Sequence, residues 1–458
     1  MKKFAVLMLA LAVLCLYAAA QDSPAAPQEK KVFSYAYSID DLPNGMRVIT
    51  VPTDSPNLVA LYMVVKTGSR NEVEPGKSGF AHLFEHLMFR GSKKYTPEQA
   101  EEVLRRAGAS SNAYTTDDRT VYHAVFSKED LDRMMDVQAN AFQHLQYSRD
   151  AYKTETGAVL GEYNKNSANP ISKLYEVLRE TAYTKHTYSH TTMGYIKDIE
   201  DMPNLYDYSL EFYNRYYRPE YVTMLAVGDV QRDQVLALAK KHYGDWKRGS
   251  YVAQIPAEPP QTSPQVRHVD WPTPTLPWVV VAYRGAAYSD SDKQAAALDL
   301  LANLAFGQNS DLYQKLVLKE QKVATMDGGQ DMRVDPELFA VMARVKDVKD
   351  VNYVRDQILA TYKQFAETLV PADRLAATRS RMRYDFALSM DSSSAIAGAL
   401  APYIALRSTP ETINRRYALY EQVSPEDIRE AARKFFTEHN QTVVTLSTKA
   451  NSSEKGGL

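Results

Sequence analysis

Short apolar runs and segments with helical spacing succeed each other along the first half of the chain, and the second half repeats the order. Runs at 46–51 and 58–66 predict two strands. In the second, Leu58, Ala60, Tyr62 and Val64 recur at every other position, as side chains on one face of a strand do. The spacing then predicts helices over 78–89 and 97–107. The latter has Thr96 as N-cap, Pro97 at the first helical position and Gln99 closing a capping box. Strand-like runs follow at 111–116 and 120–126, then several helices and a closing strand at 221–227.

The same order returns later. Strands are expected at 265–272 and 278–284, helices at 291–306 and 309–320, and strands at 323–332 and 337–345. A long helical stretch and a last strand at 442–446 complete the set, with Tyr216-Tyr217 and Phe435-Phe436 preceding the two closing strands. The repeat predicts an α+β fold of two homologous domains, each a mixed or antiparallel sheet packed against helices. The stretch 246–264 carries four prolines and reads as an exposed linker. It separates an N-terminal domain (34–245) from a C-terminal one (265–448), with 449–458 as a tail.

Residues 1–20 break this pattern. Lys2 and Lys3 precede an apolar run ending at Tyr17, and Ala18-Ala19-Ala20 offers a small-residue cleavage site. This is a secretory signal cleaved near Ala20, followed by a flexible leader at 21–33, and it predicts an exported, periplasmic protein. No later apolar segment reaches the roughly 18 residues of a membrane span, so no stable insertion is expected after cleavage. The formal net charge of −2 gives no bulk field toward nucleic acid or anionic lipid. The single cysteine, Cys15, falls inside the signal. A mature chain then has no disulfide or thiolate, and any metal must be held by His, Asp or Glu.

Residues 82–86 read His-Leu-Phe-Glu-His. On a helix, His82 and His86 project from one face and can share a cation, and Glu85 leans over the same place. This is the H-x-x-E-H order of the inverzincins. The flanking Phe80, Ala81, Leu83, Phe84 and Leu87 are apolar, and polar groups in such a helix are costly without a partner. A catalytic zinc site typically needs a third protein ligand. A helix starting near Ser148 carries Glu155 and Glu162 about two turns apart on one face, but spacing alone does not choose between them and other carboxylates.

The combination resembles the pitrilysin family of zinc peptidases, over nearly the whole mature chain. His82, Glu85, His86, Glu155 and Glu162 match that family's signature in type and spacing. The resemblance implies one zinc ion on His82, His86 and Glu162, a catalytic water activated by Glu85, and Glu155 behind a ligand as an orienting carboxylate. It also implies that Asn112 and Ala113 lie on an edge strand that holds an extended peptide substrate by its main chain.

The family's second half also supplies an Arg and a Tyr seven residues apart. Here those places are taken by Val317 and Ala324, neither able to donate a hydrogen bond from its side chain. The second half has Asp299-Leu300-Leu301-Ala302-Asn303 where a second metal motif would stand. Losing an oxyanion donor costs a factor of about 100 to 1,000 in rate. The resemblance therefore implies a zinc endopeptidase that works as a heterodimer with a homologous metal-free subunit supplying the pair. The alternative is a non-catalytic structural or peptide-binding subunit. Among other residues, His186 and His190 read as surface or cleft histidines, His123 and His144 as structural, and Arg379, Arg381 and Arg383 as solvated surface.

Overall fold

The computed structural model describes residues 31–449. The signal, most of the leader and nearly all of the tail expected above, with Cys15, lie outside them. Six strands, β1 (Ser38–Asp41), β2 (Arg47–Pro52), β3 (Leu58–Val65), β4 (Ser110–Thr115), β5 (Thr120–Ser127) and β6 (Val222–Gly228), form a sheet in the order β1-β2-β6-β3-β5-β4. Five more, β7 (Gln265–Trp271), β8 (Trp278–Arg284), β9 (Val323–Gly329), β10 (Leu338–Val345) and β11 (Gln441–Thr448), form a second in the order β7-β11-β8-β10-β9. With β1 set aside the orders coincide, and so do the directions. β2 and β6 run parallel as β7 and β11 do, and the other neighbours are antiparallel. The fold is the α+β duplication that the repeat predicts.

Four helices position the site and bind the halves together: α1 (Phe80–Leu87), α2 (Arg149–Ser167), α3 (Pro170–Ala182) and α4 (Ser393–Arg407). α3 and α4 are exchanged. Leu174 and Leu178 of α3 pack on Val280, Ala282, Val444 and Leu446 of the second sheet. Ile396, Ala397, Leu400 and Ile404 of α4 pack on Ile49, Val51, Ala60, Tyr62 and Val227 of the first. The alternation in β3 therefore does not separate a wet face from a dry one, and Val59 to Val65 are all buried. Its second face is dry because α4 arrives from a segment more than 300 residues away in sequence.

The segment before β1 and the one that joins the halves are tied in as well. Val32 and Phe33, counted above with the flexible leader, are buried, and Phe33 exchanges two backbone hydrogen bonds with the Asn414 side chain. Residues 246–264 carry no helix or strand, yet Trp246 is buried and Glu258 accepts the amides of Thr184, Lys185 and His186. His186 and His190 are buried rather than on the surface or in a cleft. His186 sits where the loop before β10 meets the first half, its Nε2 lying 3.0 Å from Asp335 Oδ2, and His190 lies against Glu72 and Tyr195 of the first half itself. The Arg379 guanidinium is half-buried and donates to the Val423 carbonyl. Among the described residues, no helix is long and apolar enough to cross a membrane.

Candidate metal centre and peptide edge

α1 begins at Gly79, whose φ of 91° is open to glycine and strained for other residues, and a Cβ there would lie 2.7 Å from the Met193 carbonyl. Glu72 caps this end, accepting the Gly79 amide at 2.8 Å and the Ala81 amide at 2.7 Å. Burial pushes Glu72 up to about 8, although the two amides pull the other way. The apolar side of α1 (Phe80, Leu83, Phe84, Leu87) is sealed in the core, which turns 82, 85 and 86 toward α2 and β4.

The rings of His82 and His86 stand 4.9 Å apart at 84°. Glu162 of α2 reaches both, its Oε2 lying 3.5 Å from His82 Nε2 and 3.7 Å from His86 Nε2. One ligand atom from each of the three lies within 4.8 Å of the others. These separations are long for direct hydrogen bonds. They suit a shared ion, because two donors about 2.1 Å from a tetrahedral zinc lie about 3.4 Å apart. Burial, and then the neighbouring His86, lower His82 to about 4, so it stands as a neutral donor at pH 7. Two imidazoles and a carboxylate form a donor set that fits a divalent ion.

Glu85 lies beside this cluster. Burial raises its pKa, partly offset by the Thr115 hydroxyl, which donates to Glu85 Oε2 at 2.7 Å. Thr115 ends β4, an edge strand of the first sheet that pairs only with β5 among the described residues, so this edge runs directly into Glu85. Asn112 and Ala113 lie on that strand. The pairing with β5 leaves the Ala113 amide facing the open side, where the Asn112 side chain accepts it at 2.9 Å. Glu155, 2% exposed, faces His86 from behind with Oε2 3.4 Å from Nδ1, and Arg90 Nε lies 2.7 Å from Glu155 Oε1.

All five residues of the metal-type signature and the edge strand thus meet at one place. Glu72, Arg90 and the contact of Thr115 with Glu85 were missed by sequence reasoning. A basic residue just past the end of a helix is a usable signal for Arg90. Glu72 gives none, since its loop reaches α1 only in three dimensions. In the second half, Val317 lies in the helical segment Gln314–Lys319 and Ala324 in β9.

Two like α+β halves, one bearing imidazoles and carboxylates beside an open strand edge, define a bilobal class of metallopeptidase-like proteins. The chain belongs to peptidase family M16: residues 47–195 match Insulinase (Peptidase family M16), and residues 205–382 match the Peptidase M16 inactive domain. It is 28% identical over 412 residues to the zinc protease PqqE of Helicobacter pylori, covering 88% of this chain and 91% of that protein. It is 26% identical over 419 residues to the beta subunit of the mitochondrial-processing peptidase of Homo sapiens, covering 88% and 83%. The crystal structure of a protease from Helicobacter pylori superposes with a TM-score of 0.84 at 27% identity, spanning 90% of this chain and 100% of that one. The first half of the periplasmic protease PqqL from Escherichia coli shares the fold at 19% identity, with a TM-score of 0.72 over 95% of each chain.

Proposed function

We propose that the chain is a zinc-dependent endopeptidase acting on peptides or unfolded polypeptide segments, with one zinc per chain on His82, His86 and Glu162. The observation that carries this is the convergence of those three groups beside Glu85 and the end of an open strand edge. A zinc ion there supplies a Lewis acid and brings a water's pKa to about 7. Glu85 takes the proton of the attacking water and returns it to the leaving amine. Thr115 fixes the direction of the Glu85 carboxylate. The β4 edge pairs with the peptide backbone once the Asn112 side chain leaves the Ala113 amide, so recognition depends weakly on sequence.

The reading includes a partner. Val317 and Ala324 leave the second half without the Arg and Tyr side chains, and a homologous metal-free subunit would supply both across a heterodimer. One similar protein is itself named as a subunit of a peptidase, which supports this. Export to the periplasm belongs to the same reading. It is supported by the N-terminal charge and apolar pattern and by the likeness to a periplasmic protease.

Cleavage of quenched peptides, with the metal stripped by a chelator and zinc then returned stepwise, tests the proposal. Activity should vanish on stripping and recover at one zinc per chain. A chain that binds zinc but cleaves nothing, alone or with its native partner, would instead be a non-catalytic peptide-binding subunit. The match of residues 205–382 to an inactive domain fits either reading, since the cluster of His82, His86 and Glu162 lies outside that stretch.

A further inference from the structure

We propose that Arg90 is a positioning residue of the metal centre, acting through Glu155 on His86; the inference rests on the metal reading above. Three groups stand in line. Arg90 Nε is 2.7 Å from Glu155 Oε1, and Glu155 Oε2 is 3.4 Å from His86 Nδ1. The opposite ring nitrogen of His86 faces Glu162. An imidazole binds a metal through one nitrogen in the tautomer set by what the other nitrogen touches. Glu155 Oε2 is a buried acceptor without a hydrogen-bond partner among the described residues, aimed at that other nitrogen.

Glu155 cannot hold this role unaided. Its side chain is 2% exposed, and a buried carboxylate is costly unless a cation compensates it. Arg90 stands on the turn that closes α1, its amide bonded to the Leu87 carbonyl at 2.9 Å, so the helix that carries His86 also carries the cation. His82 has no such arm among the described residues, where its Nδ1 is buried without a partner. The Arg90–Glu155 pair is therefore the anchor for one imidazole of the two. Arg90 itself is 47% exposed, so its replacement opens no core cavity.

Zinc affinity, read by competition with a chromophoric chelator, tests this on the full chain, Arg90→Gln, Glu155→Gln and the double variant. Each single change should weaken zinc by roughly 10- to 100-fold, the range for groups that orient ligands. The double variant should be no weaker than the weaker single one, because both remove the same support. The visible bands of the cobalt(II) form should shift in Arg90→Gln, which a merely structural role would not cause. Unchanged affinity and spectrum in Arg90→Gln, or losses that multiply in the double variant, overturn the proposal. Failure of the unaltered chain to bind zinc overturns the metal reading instead.

Discussion

Helix α1 and the helix Lys293–Phe306 hold corresponding places in the two halves, each following the second strand of the duplicated order. One presents His82, Glu85 and His86 to a carboxylate on a neighbouring helix. The other is almost wholly apolar and buried. Its one acidic residue, Asp299, accepts hydrogen bonds from Arg416 at 2.5 Å and Tyr420 at 2.6 Å. The same backbone plan thus carries a cluster of imidazoles and carboxylates in one half and a closed ion pair in the other. Topology decides where a site can stand. A few side chains decide whether it does.

The sharpest way to break this division is Glu85→Gln, which keeps size and removes the base. Cleavage should fall by about 100- to 10,000-fold with zinc content and melting temperature unchanged. Activity that survives would mean that the first half is not the seat of the chemistry.

In the second half, Asp299→Asn leaves Arg416, 1% exposed, without its carboxylate. Removing one partner of a buried pair costs about 3–5 kcal/mol, visible as a lower urea midpoint. Zinc per chain should not change, and a parallel loss of zinc would make both halves part of one site.

A smaller effect lies where the halves meet. Burial pushes Asp117 up, but Arg179 and Arg333 outweigh it and hold the carboxyl at about 2, below its usual 3.8. A folded value below the unfolded one lends stability that is full above about 3.8 and lost as pH falls through about 2. Asp117→Asn should cost about 1.5–3 kcal/mol at neutral pH and flatten the acid limb. The cost is moderate because Glu337 and Asp331 still face Arg333. Equal acid sensitivity in the variant would assign that limb to other groups.

Much of this was legible in the sequence. The succession of strands along the chain, β1 apart, followed from the repeat of apolar runs, and the capping box at Thr96 and Gln99 is formed as its spacing predicts. The His82, Glu85 and His86 face was readable because helical spacing is local. Glu162 was not selected by spacing, since its meeting with His86 depends on how α2 packs against α1. The exchange of α3 and α4 left no local trace either. An apolar helix looks the same whichever sheet it covers, and the dry second face of β3 is understood only once α4 is in place. The burial of His186 and His190 also depends on packing that local sequence does not show, His186 against Asp335 of the other half and His190 against Glu72 and Tyr195.

X-ray absorption at the zinc edge of the purified protein tests the central claim most directly. Two imidazoles and a carboxylate on one ion predict one zinc per chain, a shell of nitrogen and oxygen at about 2.0–2.1 Å, and outer scattering from two histidine rings. A shell of oxygens without imidazole scattering, or zinc well short of one per chain after loading, would contradict it.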